Sequence, residues 1–449
     1  MELNRNKVEE YALDHWHDFK EYLEHPSISA QNKGINETSD WLVQTFKDLG
    51  AKTATKWDDQ GGNPIVFAEF NGHSDYTVLF YNHYDVQPPE PLDEWKSAPF
   101  KPTEKNGKLV ARGVCDDKGE LMARLGVVKY FNEHGGLPVN LKFFVEGEEE
   151  TGSRHVPLYV NAHQYELKAD ACIWEGGGKN SVDHFEVVAG VRGIVSFDIK
   201  VKTANADIHS SLASYVPNAA WRLLEGLGSL RDPHTGRITV KNFYSDIEPL
   251  TTDEKAAVDE MDFDEDNVKE TYGLKRPLVT NHPREELVNG TTLTINGLSA
   301  GYEGTGVKTI VPKEASAKLD CRLAPNQEPK KVMELLKEQL RVNCYDDFEV
   351  HLNVAEDAWR TPMNDPFVRQ ALKTARVVYG PMTKFVPNTA GGGPVQPFGE
   401  TLNLPVVMVG VHYAKSGPHA PNEHIRLSDY AEGSYYLATF LNQLGESHQ

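Results

Sequence analysis

The chain is short of cysteine. Its four, Cys115, Cys172, Cys321 and Cys344, are scattered over 449 residues without a Cys-x-x-Cys pair. That spacing suggests neither a disulfide framework nor a cysteine zinc site, and reads as buried free thiols. No uninterrupted apolar run approaches the roughly 18 residues of a membrane span. The N-terminal stretch MELNRNKVEEYALDHWHDFKEYL is amphipathic and acidic, without the apolar core of a signal peptide. Basic residues are scarce as well. Lys and Arg number 46 against 66 Asp and Glu, a formal charge of -20, which repels nucleic acid and anionic membrane surfaces and draws in cations. The expectation is a soluble, cytoplasmic protein that partners neither nucleic acid nor membrane.

A chain of this length calls for two or more domains. The first 180 residues alternate strand-like and helix-like stretches: YTVLFYNHYD, then a helix from about Asp117 with Leu121, Leu125 and Val128 on one face, then VNLKFFVE and ADACIWE. That order implies an α/β domain with a mainly parallel sheet. From Val188 the texture changes to the long alternating strand VVAGVRGIVSFDIKVKT and the helix NAAWRLLEGL, with Ala220, Leu223, Leu224 and Leu227 sharing a face. An acidic stretch from Asp246 to Glu270 reads as solvated. Beyond it come TLTINGL, ASAKLDCRLAP, a helix around VMELLKEQL and DFEVHLNV, which together suggest a small α+β sandwich. The last ~90 residues return to α/β texture, with LPVVMVGVHY and a closing helix near Leu427 to Leu444.

Chemistry collects at strand ends. In YNHYDVQ, His83 and Asp85 are two apart at the end of an apolar strand, so both point the same way. Alone, the pair is more readily a surface histidine and its neighbour than a metal ligand with the carboxylate that orients it. ARGVCDDKGE sets Asp116 and Asp117 at a strand-to-helix turn, where one Asp is enough for a helix cap. VEGEEETGS brings Glu146, Glu148, Glu149 and Glu150 together after a strand. Either they splay into water, or a cation offsets their repulsion. ACIWEGGG ends a further strand with Glu175, and SGPHAPNEH follows another with His419. Five strand ends thus carry His, Asp, Glu, Glu and His in chain order, at the edge where α/β sites form. Two histidines and three carboxylates exceed one tetrahedral zinc but suit two divalent ions sharing a carboxylate, with zinc, manganese and cobalt all acceptable. None of the five falls between about 180 and 360, as expected if that segment is inserted into the catalytic domain.

HYD, CDDKG, EGEEETGS, IWE and GPHAPNE, in this order, resemble the metal-site motifs of the dinuclear metallopeptidase family. That family includes carnosinase, cytosolic non-specific dipeptidase, bacterial dipeptidases, glutamate carboxypeptidase, acetylornithine deacetylase and succinyl-diaminopimelate desuccinylase. The resemblance implies a mainly parallel-sheet, zinc-exopeptidase-like catalytic domain over residues 1–187 and 360–449. Residues 188–359 would form an inserted α+β, ferredoxin-like dimerisation or lid domain. It implies that His83, Asp116 and Glu175 hold one metal and Asp116, Glu150 and His419 the other, with a cis peptide between Asp116 and Asp117. By the same likeness Asp85 orients His83 and Glu149 is the general base. Glu146 and Glu148 receive no catalytic role, and Glu148 is expected to be solvated.

The resemblance reaches the inserted segment too. His209 in ADIHSS matches a histidine that the family lends across a homodimer to stabilise the oxyanion. Arg322 in LDCRLAP would clamp a substrate carboxylate, and Thr309 in KTIVP matches a substrate contact of dipeptidase-like members. TAGGGPV resembles a glycine-rich substrate loop, although Gly392 stands where many relatives carry serine, which puts a hydroxyl contact there in question. The implied function is hydrolysis of short peptides by a water that two metals activate, zinc foremost. Removal of an N-acyl group from an amino acid is the alternative within the same chemistry, and a non-catalytic metal-binding scaffold the alternative outside it.

Overall fold

The computed structural model describes residues 3–448. One large sheet organises the first and last parts of the chain, in the order Thr53–Trp57, Ile65–Phe70, Val139–Glu146, Ser74–His83, Ala171–Trp174, Val406–Met408, Phe185–Val188, Gly178–Lys179, His412–Tyr413, with Lys384–Val386 beside Phe185–Val188. Its central strands run parallel: Val139–Glu146, Ser74–His83, Ala171–Trp174 and Val406–Met408 pair one with the next in the same direction. Covered on both faces, such strands are apolar almost throughout rather than alternating. Val78, Leu79, Phe80 and Tyr81 are all buried, and successive ones enter opposite cores. One face carries the helices Lys118–Glu133, Pro366–Tyr379 and Leu427–Ser447. The other packs on the helix Val156–Ala162 and the short helical turn Pro397–Thr401, which carries Phe398.

A second sheet lies wholly within the middle of the chain. Strands Thr294–Ala300, Glu314–Leu323, Gly193–Lys202 and Glu349–Glu356 form it in that order, all pairs antiparallel. The helices Ala219–Gly228 and Pro329–Val342 cover one face, giving the βαββαβ order of a ferredoxin-like sandwich. Where the chain enters and leaves this unit its two crossings pair with each other, Gly190 with Arg360 and Val191 with Trp359. The expected α/β fold with an α+β insertion is what the molecule has. Among the described residues no helix is long and apolar enough to cross a membrane.

Three readings of the sequence are corrected. On Ala219–Gly228 the buried positions are Ala219, Leu223, Gly226 and Leu227, while Leu224 is exposed and Ala220 only half-buried. The core face is thus rotated, because Gly226 rests against the ring of Phe348, where any side chain would collide. The acidic stretch Asp246–Glu270 is only partly solvated. Thr251 and Glu254 form a reciprocal cap on the helix Thr252–Asp259, whose Val258 joins Met261 in a core. Finally Cys344 is exposed, whereas Cys115, Cys172 and Cys321 are the buried free thiols expected.

Candidate active site

The parallel strands deliver the site. His83 ends one strand, Glu146 ends its neighbour and leads into the turn Glu149–Thr151, and Glu175 follows Trp174 at the end of the next. Asp116 and Asp117 precede the helix Lys118–Glu133, and the peptide between them is cis. His419 comes from the loop after the strand His412–Tyr413.

Asp116 stands between the two histidines. Its Oδ1 lies 2.9 Å from His83 Nε2 and its Oδ2 2.9 Å from His419 Nε2. His83 Nε2 is also 3.5 Å from Glu175 Oε2, and His419 Nε2 is 3.2 Å from Glu150 Oε2. Donor atoms gather within 4.8 Å of one another in two groups: Asp116, Glu150 and His419, and His83, Asp117 and Glu175. Burial alone would raise the Asp116 acid, yet the hydrogen bonds to His419 and His83 hold it well below its usual range. The His419 imidazole is pushed up to about 10 by its bonds to Asp116 and Glu150. Glu149 is raised to about 8, first by burial and then by Asp116, Glu150 and Asp85, against the opposing influence of His83.

For Asp117 the sequence offers a helix cap, a reading that accounts for only one of the two adjacent aspartates. Asp117 does occupy the N-cap position, but its side chain makes no capping bond. Instead its Oδ2 accepts from Asn82 Nδ2 at 2.6 Å and from the His83 backbone N–H at 3.1 Å, while Oδ1 is buried without a partner. Glu148 is not solvated: His155 Nδ1 lies 2.6 Å from its Oε2, and the Asn63 N–H donates to Oε1 at 3.2 Å. Glu146 points into the core, where Tyr81 and Ser153 donate to it and burial holds its acid well above the usual range.

Asp85 does not face His83 as simply as the spacing suggested. His83 Nδ1 lies 2.9 Å from the Asp85 backbone carbonyl and 3.4 Å from its carboxylate. That carboxylate accepts instead from the backbone N–H groups of Glu149 and Glu150. Two supporting residues had no signal of their own. Gln87 donates to Glu150 from its backbone at 3.1 Å and its side chain at 2.8 Å. Glu423, buried, accepts from the N–H groups of Gly113, Cys115 and Asp116 and from Arg112 Nη1. Its place in GPHAPNE was the one hint available.

The remaining expected site residues, Gly392 and the three of the inserted segment, divide into two places. Gly392 lines the same cavity of about 500 Å³ as Asp116, Glu149, Glu175 and His419. A Cβ on Gly392 would lie 3.2 Å from the Arg192 carbonyl oxygen and from Glu356 Oε2, and 3.5 Å from Arg322 Nη1. Glycine keeps that approach open, and Arg322 stands at the cavity's edge. His209 and Thr309 are elsewhere, together on the short ribbon of Ile208–His209 with Ile310–Val311, where His209 is exposed and its Nδ1 lies 2.9 Å from Ser211 Oγ. The chain does not bring them to its own cavity.

The donor set fits two divalent cations. Carboxylates and imidazoles without cysteine suit zinc, manganese or cobalt. Glu175 Oε2, like Asp117 Oδ1, is a buried carboxylate oxygen lacking a hydrogen-bond partner. Among the described residues no lysine or arginine forms an ion pair with Asp116, Asp117, Glu149, Glu150 or Glu175. So much buried negative charge is stable only if neutralised.

Known proteins resemble this chain. The model of peptidase family M20/M25/M40 matches residues 79–443. The chain is 29% identical over 450 residues to the Cys-Gly metallodipeptidase dug1 of Schizosaccharomyces pombe, covering 93% of each. It is 28% identical over 421 residues to the Beta-Ala-His dipeptidase of Rattus norvegicus, covering 89% of this chain and 84% of that protein. Among solved structures, an M20 family metallo-carboxypeptidase from Sulfolobus solfataricus superposes with a TM-score of 0.89 at 37% identity, over 96% of this chain and 99% of that one.

Proposed function

The chain belongs to peptidase family M20/M25/M40, and from that premise we propose that it hydrolyses the amide bond of dipeptides at a centre of two divalent ions. The observation that carries the reading is Asp116, with one carboxylate oxygen 2.9 Å from His83 and the other 2.9 Å from His419. His83, Asp116 and Glu175 would hold one ion and Asp116, Glu150 and His419 the other, with zinc the first candidate and manganese or cobalt acceptable. When bound, the pair would supply Lewis-acid polarisation of the scissile carbonyl and lower the pKa of the attacking water.

The protein's own groups do the rest. Among the described residues no lysine or arginine forms an ion pair with Glu149, which faces the cavity, so its carboxylate takes the proton from the water and returns it to the departing amine as the C–N bond breaks and the C–O bond forms. Asp85 fixes the turn that carries Glu149. Arg322, beside Gly392, binds the substrate's terminal carboxylate. His209 and Thr309 serve the site of a second copy of the chain, stabilising the oxyanion and contacting substrate. Their distance from the cavity of their own chain supports this. So does the apolar surface of the inserted segment, residues 188–359, where Leu212, Tyr215, Trp221, Leu224, Ile295 and Leu298 are exposed. The working form is thus a homodimer through that segment, in the cytoplasm.

The N-acyl-amino-acid deacylase reading is not favoured, because the relatives at 29% and 28% identity are dipeptidases. The similarity to a metallo-carboxypeptidase favours a second reading, release of the C-terminal residue from longer peptides. Metal-reconstituted protein assayed on dipeptides, tripeptides and N-acetyl and N-succinyl amino acids tests all three. Faster turnover of the acyl amino acids than of any peptide would overturn the proposal.

A further inference from the structure

Beyond the paired histidines and their carboxylates, the cavity has a second wall, with Glu186 and His412 on it, that the reaction leaves unused. Gly178, Glu186 and His412 form one row across the sheet: Gly178 pairs with Glu186 on one side and with His412 on the other. Residues in register share a face, and their neighbours in sequence take the opposite one. The adjoining row, Lys179, Phe185 and Tyr413, shows which face is which. Lys179 reaches Asp429 and Glu432, Phe185 stacks on Tyr379, and Tyr413 lies under the Arg426 guanidinium, all on the side of the C-terminal helix. Glu186 and His412 therefore project the other way, into the cavity that Glu149, Glu175 and His419 also line.

The middle of the row has to stay bare. A Cβ on Gly178 would lie 2.1 Å from the His412 carbonyl oxygen, and its φ of +143° disfavours any side chain. With strands about 4.8 Å apart, the row makes a notch roughly 10 Å across, floored by glycine, with a carboxylate on one side and an imidazole on the other. Only Gly176 and Gly177 separate Gly178 from Glu175, so the floor begins within about 10 Å of the metal-binding cluster.

Glu186 is held ready. Asn180 Nδ2 donates to its Oε1 at 3.0 Å and to Asp262 Oδ2 at 2.9 Å, so one amide ties two acids together. Burial keeps the Glu186 acid above its usual range against the lowering pull of Asn180. Among the described residues no basic side chain forms an ion pair with Glu186, although Lys384 is its in-register neighbour on the adjoining strand and His184, 2.7 Å from Asp262, lowers its acid from further off. A carboxylate partly withdrawn from water, oriented by an amide and lacking a direct ion pair gains from a cation that arrives from the cavity.

We propose that this notch binds the cationic side chain of the substrate's N-terminal residue, so that the enzyme selects dipeptides beginning with lysine or arginine. The proposal rests on the dipeptidase reading above. Arg322 stands at the Gly392 side of the cavity, where the terminal carboxylate is assigned, which leaves the notch to the residue across the scissile bond. The α-ammonium of that residue is held about 2.5 Å from the reacting carbon, while a lysine ammonium extends roughly 7 Å from it. The longer reach suits a notch set apart from the ligands.

The test compares Lys-Ala with norleucyl-Ala, which has the same carbon chain without the ammonium, on metal-reconstituted wild type and Glu186→Gln. Wild type should favour Lys-Ala by about tenfold or more in kcat/KM, and Glu186→Gln should lower that ratio by at least about fivefold. A general structural defect lowers both substrates together and leaves the ratio where it was. If the ratio is the same in both proteins, the notch is overturned and the dipeptidase reading stands. If wild type cleaves neither dipeptide, the dipeptidase reading falls and the notch with it. Glu186→Lys covers the case in which the glutamine variant yields no folded protein. It should shift the preference from Lys-Ala toward Glu-Ala, and a retained preference for Lys-Ala would equally overturn the proposal.

Discussion

The carboxylate of Asp85 accepts the backbone N–H of Glu149 through Oδ1 at 3.2 Å, and through Oδ2 that of Glu150 at 3.1 Å. One buried acid thus fixes both a residue assigned to move the proton and a residue assigned to bind metal. Asp85→Asn leaves one oxygen for two donors and turns an NH₂ toward the other. Loss of such a supporting bond costs on the order of 10- to 100-fold in activity or metal affinity. The expected outcome is a fall of that size in kcat together with weaker metal retention on dialysis. Wild-type values for both would mean that the turn holds its shape without Asp85.

Glu149→Gln separates base from ligand. The amide cannot take a proton, but His83, Asp116, Glu150, Glu175 and His419 remain, so both ions should stay. Turnover should fall by about 10² to 10⁴. Glu150→Gln should instead lower metal content at one site, because Glu150 Oε2 lies 3.2 Å from His419 Nε2 within one of the two donor groups. Elemental analysis alongside kinetics checks both, and full turnover in fully metallated Glu149→Gln would remove the base assignment.

The sequence made these residues legible because period-two alternation and strand ends place side chains without any long-range information. His83 and Glu175 stand at the ends of parallel strands and Glu149 and Glu150 in the turn after another, and parallel strands align such ends on one edge. Asp116, by contrast, lies ahead of a helix and His419 in a loop, and these two were legible through the motifs of the resemblance. Asp117, Gln87 and Glu423 were not legible. Their partners are Asn82, Glu150 and the backbone at Gly113–Asp116, up to 310 residues away for Glu423. Nothing in a local pattern marks a carboxylate for backbone N–H groups that distant. The acidic stretch after Asp246 misled for a related reason: Glu254 is buried because Thr251 caps with it and Arg360 approaches it to 3.8 Å from outside the segment.

Arg322 makes an exopeptidase of the site if it binds a free carboxylate. Its Nη1 would lie 3.5 Å from a Cβ at Gly392, and no acid forms an ion pair with it among the described residues. Amidating the C-terminus of a good dipeptide should then cost about 2 to 5 kcal/mol in kcat/KM, the penalty for leaving a charged partner unpaired. Arg322→Ala should erase most of that discrimination. Equal kcat/KM for acid and amide in the wild type would rule the role out.

His209 supplies the sharpest test of the assembly. It lies with Thr309 on a ribbon outside the cavity lined by Glu149 and His419, so it can act only on another chain's site or not at all. Removing an oxyanion donor costs roughly 10² to 10³ in kcat, and His209→Ala should show that loss with metal content unchanged. Mixing it with Glu149→Gln then has an outcome set by geometry. If each site takes its base from one chain and its donor from the other, the heterodimer has one site with both lesions and one with neither. Co-unfolding and refolding two nearly inactive proteins should therefore restore activity, approaching half that of wild type per heterodimer. Differential tags establish that heterodimers form. Heterodimers no more active than their parents would show that His209 does not serve the neighbouring site.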